Sequence, residues 1–213
     1  NHSHFEHFDA DKVISNMINS PKWTQSKYYG KTPDEIKTSW ENNGKEASAA
    51  GTKLHLDIES FYNKVPVIND SVEYKYFKNF VRDFPQLKPY RTEWMVWDKE
   101  LKFAGSIDMV YENPDGSLLI YDWKRTKDIK KTTSFNKFSH TDCISHLPDT
   151  NFWHYSLQLN TYKAILEKNY GKIITGMTLV RLHPNSNNYQ LIPIPNLQEE
   201  IKSLFELRKS MLY

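Results

Sequence analysis

Apolar residues recur at Ala47, Ala50, Leu54, Ile58 and Phe61, spacings of three and four that predict a helix with one buried stripe. Upstream, Asp9 can cap a helix carrying Val13, Ile14, Met17 and Ile18, which Ser20-Pro21 ends. Thr32-Pro33-Asp34-Glu35 has the form of a capping box with proline in the first turn, opening a short helix that includes Ile36 and Trp40. Asp70 and Glu73 cap another helix around Phe77, Phe80 and Val81, before Phe84-Pro85. The period then falls to two. Residues 91–98, 102–112 and 117–124 read as strands, the last two joined by the turn Asn113-Pro114-Asp115-Gly116. A basic, irregular stretch over 125–154 follows, longer than the connections usual in compact domains. A helix over 155–168, strands near 173–182 and 189–194, and a final helix capped by Asn196 and Glu199 complete an α/β pattern.

Composition narrows the class. A chain of 213 residues, 38% hydrophobic and 25% charged, with 6 Trp, 13 Tyr and 11 Phe, has the apolar content for one well-packed domain and too many aromatics for disorder. Its longest uncharged apolar run, 173–180, is far shorter than the roughly 20 residues that cross a bilayer, so no membrane association is expected. The single cysteine, Cys143, excludes a disulfide framework, a four-cysteine zinc site and an iron–sulfur cluster. A net charge of +2 is too small to argue for a polyanion partner, so any nucleic-acid reading rests on local patches. Gly30-Lys31-Thr32 lacks the glycine five positions earlier that a phosphate-binding loop needs, since Gln25 stands there. The first residue is Asn1 rather than Met. A trimmed start is therefore expected, while the lone cysteine points to a reducing, intracellular setting, with cytoplasm, nucleus and mitochondrion all open.

The chemistry concentrates in the hairpin. Partners across a turn centred near Asp115 set Asp108 opposite Asp122, and period two puts Asp122 and Lys124 on one face of their strand with Ile120. Like charges directly opposed are destabilising unless a cation lies between them, and an all-oxygen donor set suits Mg²⁺ or Mn²⁺. A solvated cross-strand cluster of Asp and Lys would share this pattern. On the 47–61 helix, at about 100° per residue, His55 and Glu59 lie about 40° apart on the flank of the apolar stripe, able to face a site at the edge of the core. Gln158 shares the inward side of its helix with Tyr155, Leu159, Tyr162 and Leu166.

These residues carry a resemblance. Asp108, followed after a hairpin turn by Asp122-Trp123-Lys124, resembles the PD-(D/E)XK nuclease signature, an acid and a D-x-K triplet on adjacent strands. Gly51-Thr52-Lys53-Leu54-His55 resembles the upstream G-x-x-x-H helix of the RecB-like branch. Gln158-Leu159-Asn160-Thr161-Tyr162 resembles its downstream Q-x-x-x-Y helix, and Gly105-Ser106-Ile107-Asp108 its G-x-x-D form. In size and arrangement the chain is similar to compact stand-alone exonucleases such as the mitochondrial genome maintenance exonuclease and its viral or phage counterparts. The cysteine quartet of iron–sulfur members is missing, and no helicase motif is present.

The resemblance implies a restriction-endonuclease-like α/β core, a mixed central sheet flanked by helices, over 47–213, with 1–46 as an N-terminal helical extension. It implies one or two Mg²⁺ or Mn²⁺ ions held by Asp108, Asp122, the Trp123 carbonyl and His55, with Lys124 acting on the attacking water and the developing charge. Gln158 and Tyr162 support Lys124 or a phosphate, while Glu93 and Glu59 are additional acids. The implied reaction is phosphodiester hydrolysis of DNA, by an exonuclease preferring single strands or free ends and leaving 5′-phosphates. Arg125, Lys127, Lys130 and Lys131, with Trp153 further on, offer cations and a ring to such a strand; a solvated loop explains the basic run as well. Two other readings stand beside this one: a non-catalytic DNA-binding or assembly module that keeps the fold, and an RNA-directed endonuclease.

Overall fold

The computed structural model describes residues 2–213. Five helices and five strands follow in the order α1 (Ala10–Ile18), α2 (Pro33–Tyr62), α3 (Val72–Asp83), β1 (Lys88–Asp98), β2 (Phe103–Glu112), β3 (Leu118–Lys124), α4 (Asn151–Asn169), β4 (Ile174–Arg181), β5 (Gln190–Pro193) and α5 (Gln198–Leu212). The strands form one mixed sheet in sequence order. Neighbours are antiparallel except β3 and β4, which are parallel because α4 carries the chain back across the sheet between them.

The period changes seen in the sequence mark real boundaries, with local differences. The two helices expected over the 30s and over 47–61 are one continuous helix, α2. Its Thr32–Glu35 capping box forms as expected. Asn42, Asn43 and Gly44 are poor helix formers, yet without a proline they reduce stability by only about 1 kcal/mol each or less and do not break the helix. Residues 41–49 of α2 are exposed on every side, so propensity and helix continuity alone hold them. In α3 the cap is Ser71 rather than Asp70: the Ser71 hydroxyl accepts from Tyr74 N, and Asn69 Oδ1 accepts from Ser71 N to set the turn. α4 starts at Asn151, earlier than expected, because Phe152 is already part of the apolar stripe and is buried.

Both faces of the sheet are covered. On one, Ile107, Val110, Ile120 and Leu179 meet Leu159, Tyr162, Ile165 and Leu166 of α4. On the other, Met109, Tyr111, Trp123 and Val180 meet Leu54 and Ile58 of α2 and Tyr74, Phe77 and Phe80 of α3. Each fully buried Phe here contributes about 1.5–3 kcal/mol relative to exposure. A third cluster joins Phe5 and the loop residues Ile144 and Leu147 to Leu157 and α5. The connection between β3 and α4 is thus pinned midway by apolar side chains, although it has little regular structure.

The β2–β3 register agrees with the turn chemistry. Met109 faces Tyr121 and Val110 faces Ile120. Asn113 N donates to Ser117 O, and Gly116 takes φ +85°, a conformation that favours glycine. The ladder ends at Met109 and Tyr121, one position short of Asp108 and Asp122.

Candidate active site

The D-x-K triplet is oriented by its middle residue. Trp123 is fully buried on the α2/α3 face, edge-on to Phe77 and Phe80 with ring centroids at 5.3 and 5.5 Å. Period two then forces Asp122 and Lys124 to the opposite, α4-facing side. Beyond Tyr121 the ladder gives way to a side chain: Trp123 N donates to Asp108 Oδ2 at 3.0 Å. The first acid is therefore locked to the backbone of the triplet it serves.

His55 completes the junction from α2. Its Nδ1 lies 2.8 Å from Gly51 O, one helical turn earlier, and its Nε2 lies 3.1 Å from Asp108 Oδ2 and 2.9 Å from Trp123 O. All three partners can only accept, so both ring nitrogens carry a proton and the residue is an imidazolium. Burial opposes that charge, but the hydrogen bond and charge of Asp108, the Gly51 carbonyl and the Asp122 charge outweigh it and raise the pKa to about 9.

Asp122 is 3% exposed. Lys124 Nζ stands 2.9 Å from its Oδ2 without the alignment of a hydrogen bond, so this oxygen is charge-paired yet has no directed donor. Burial and the Asp108 charge raise its pKa to about 7 against the pull of Lys124. Burial works against the Lys124 ammonium too, but the two carboxylates prevail and its pKa is raised. The ammonium also sits 4.3 Å from the centre of the Tyr155 ring.

From α4, Gln158 Nε2 donates to Tyr162 Oη at 3.2 Å. Burial raises the Tyr162 pKa, with the Asp122 and Asp108 charges adding to it. Gly105 of the G-x-x-D segment passes so close that a Cβ there would lie 2.7 Å from Tyr162 Cε1; a side chain would displace the tyrosine.

Glu93 and Glu59 enter the same neighbourhood, lining with His55, Gly51 and Asp108 an open cleft of about 480 Å³. Glu93 accepts from Ser106 Oγ at 2.9 Å and takes φ +42°, a strained conformation for a non-glycine residue in a strand. Burial, with the Asp108 and Glu59 charges, raises its pKa.

The loop residues stand apart in their commitments. Arg125 Nε donates to Glu73 Oε1 at 3.1 Å, both side chains largely buried. Trp153 is half-buried, with its indole N–H on Lys131 O. Lys127, Lys130 and Lys131 are exposed, Lys130 lying 3.6 Å from Asp128 and Lys131 over the Phe152 ring.

Two residues with a part in this arrangement carry no sequence signal of their own. Tyr155 is visible as an inward α4 position, but its contact with Lys124 is tertiary. Arg181, buried beside Lys124 in the β3–β4 ladder, donates to the carbonyls of Thr126 and Lys127 and fixes the chain leaving the triplet.

The donor set fits a divalent cation. Asp108 Oδ2 and Trp123 O lie 3.1 and 2.9 Å from His55 Nε2, the buried Asp122 Oδ2 has no aligned donor, and Gly51 O accepts from Nδ1–H, so a cation that displaced the Nε2 proton would find that nitrogen free to ligate. Among the described residues no three His, Cys, Asp or Glu side chains are placed to hold a metal ion by themselves. A cation held here would need the Trp123 carbonyl and water beside these side chains.

One consequence concerns pH. A histidine raised from 6.5 to about 9 stabilises the fold fully below pH 6.5 and loses that contribution as pH rises through about 9. A carboxyl raised to about 7 acts in the same direction, its contribution present below 3.8 and lost through about 7. In EDTA the thermal midpoint should therefore fall between about pH 6 and pH 9, and fall less in His55→Gln. A flat or rising midpoint in the parent protein would contradict the imidazolium assignment.

Residues 46–211 match the sequence profile of the PD-(D/E)XK nuclease superfamily. No curated protein sequence matches the chain. Among solved structures, a protein from Eubacterium rectale described as a "putative exonuclease" aligns with 72% of this chain and 70% of its own, at 9% identity and a TM-score of 0.35. The profile extends from the α2 histidine helix through the acid hairpin and α4 into α5, and the chain belongs to the PD-(D/E)XK nuclease superfamily.

Proposed function

We propose that the chain is a Mg²⁺- or Mn²⁺-dependent deoxyribonuclease of the RecB-like branch, an exonuclease that prefers single strands or free ends and leaves 5′-phosphates. Residues 47–213 form its catalytic core, with 1–46 as a helical extension. The observation that carries the reading is the approach of His55 Nε2 to Asp108 Oδ2 at 3.1 Å and to Trp123 O at 2.9 Å, beside a buried Asp122 paired with Lys124. Nucleases of this superfamily generally use divalent ions, and the chemistry such an ion supplies when bound is neutralisation of the scissile phosphate and activation of water.

The chain's own residues do the rest. Asp108 and Asp122 provide charge, with the Trp123 carbonyl and His55 Nε2 as further donors. Lys124, held as an ammonium, orients the nucleophile and offsets the negative charge that grows on the phosphate. Tyr155 beneath it and the Gln158–Tyr162 pair beside it limit where that ammonium can go. Glu93 and Glu59 add negative charge at the mouth of the cleft, where a second cation would be bound. Lys127, Lys130 and Lys131 offer phosphate contacts on the loop beyond the triplet.

End-labelled single- and double-stranded DNA, incubated with the purified protein in Mn²⁺ and in EDTA, tests the reading. Cleavage in Mn²⁺ alone, with release of label from linear strands and none of circular single strands, is the expected result. Binding without cleavage would favour a non-catalytic module, and scission of circular RNA an RNA-directed endonuclease.

A further inference from the structure

Of the six tryptophans, five are buried or half-buried and Trp97 alone is exposed, at 59%. Its neighbour on the same face of β1, Met95, is 65% exposed, while Trp94, Val96 and Asp98 between and beside them point into the protein. Their cross-strand partners on β2 are Ser106 and Ala104, too small to shelter either side chain. The result is a flat apolar surface on the outer face of the β1–β2 hairpin.

That surface is rigid. Trp97 N donates to Tyr170 Oη, and the adjoining Asp98, 3% exposed, accepts from Leu101 N, Lys168 Nζ and Asn169 Nδ2. Positive charge gathers at one end of the surface, the hairpin tip. Lys99 and Lys102 are exposed at the hairpin tip and make no ion pair among the described residues. Lys168 and Lys209 reach the tip to meet Asp98 and Glu100, and Arg208 donates to Leu101 O. Five cations thus gather about a turn with two carboxylates; Lys168, Lys209 and Arg208 are committed to it from α4 and α5, and Lys99 and Lys102 are left to meet a phosphate. An exposed ring on a fixed backbone with surplus cations beside it is the combination that binds single-stranded nucleic acid with little sequence preference.

The surface runs into the cleft. Ser106, the partner of Met95, donates to Glu93, which lines the cleft together with Asp108. Four residues of β2 separate Asp108 from Ala104, about 13 Å at strand rise, or roughly four nucleotides of a stacked strand at 3.4 Å each. Resting on the nuclease reading above, we infer that the outer face of the β1–β2 hairpin is a binding track for the single-stranded substrate, with Trp97 and Met95 stacking bases and the lysines of the tip holding phosphates. The carboxylates sit at one end of this track and the cations at the other, so a bound strand would run from the hairpin tip to the cleft.

Fluorescence anisotropy with labelled oligothymidylates, in Ca²⁺ to suppress cleavage and over a salt series, tests the track. Trp97→Ala should weaken binding of an oligomer of about twelve nucleotides by about tenfold, with Trp97→Phe close to the parent. An oligomer of about three nucleotides, too short to span from the cleft to Trp97, should not distinguish the variants. Lys99→Gln with Lys102→Gln should shallow the slope of log affinity against log salt by about 1.4. Circular dichroism of each variant should match the parent, since all three side chains are exposed. If the parent binds and cuts while Trp97→Ala binds the long oligomer equally well, the track is wrong and the nuclease reading stands. A parent that neither binds nor cuts overturns both. Self-association of the parent that Trp97→Ala abolishes, with oligomer binding unchanged, would assign the face to a second copy of the chain.

Discussion

Asp108→Asn and Asp122→Asn should each abolish Mn²⁺-dependent cleavage, by more than the 10²–10³ or so that loss of one electrostatic group removes in other enzymes, while the protein still folds. The two substitutions act differently. At 108 the amide oxygen can still accept from Trp123 N, so the link between β2 and the triplet survives, but the charge that holds His55 as an imidazolium is gone. At 122 no donor is directed at Oδ2, so the amide breaks no hydrogen bond there, yet it sets an N–H₂ group or a neutral oxygen against the Lys124 ammonium. Circular dichroism and thermal unfolding separate loss of fold from loss of chemistry. The rise in thermal midpoint that Mn²⁺ gives the parent should shrink in both variants. Cleavage by either at the parent rate would remove these carboxylates from the site.

Much of this site is legible in the sequence because it is written in local geometry. The turn at Asn113–Gly116 fixes the β2–β3 register, and that register, continued one position past the Met109–Tyr121 pair where the ladder ends, sets Asp108 across from Asp122. The alternation of Asp122, Trp123 and Lys124 assigns faces before anything is known about what packs there. Helical spacing does the same for His55 and for Gln158 with Tyr162.

What the sequence leaves unsaid is tertiary. That His55 Nε2 meets Asp108 and Trp123 O depends on how α2 lies on the sheet, which its stripe at Leu54 and Ile58 orients but does not position along the strand direction. The strained backbone at Glu93 has no signature in Thr-Glu-Trp. Trp153 and Trp97 show the limit most plainly: each stands beside other aromatic residues, in Asn-Phe-Trp-His-Tyr and in Glu-Trp-Met-Val-Trp-Asp. Only packing reveals that the first is half-buried with its N–H tied to Lys131 O, while the second projects from the sheet. The length of α2 was obscured for a different reason. Asn-Asn-Gly is a weak helical stretch, and continuity through it is favoured by two well-formed flanking segments rather than by its own propensity.

Lys124 gives the second large effect, and its removal separates stability from chemistry. Lys124→Met keeps the length of the side chain over Tyr155 and removes only the ammonium. Asp122, buried and without a directed donor, then loses the cation at 2.9 Å. An unpaired carboxylate in such a place destabilises by several kcal/mol when fully buried. With the lysine side chain 19% exposed the expected loss is smaller, about 1–3 kcal/mol in EDTA. Mn²⁺ should restore that stability, because the carboxylates regain a counter-charge. Cleavage should not return with it. The ammonium is proposed to act on the nucleophile and on charge that develops only during reaction, so the variant should bind Mn²⁺ and DNA yet cut slower by about 10² or more. Thermal midpoints with and without Mn²⁺, set beside single-turnover rates, make the two effects independent. A variant whose rate recovers in step with its stability would show that Lys124 does no more than balance Asp122.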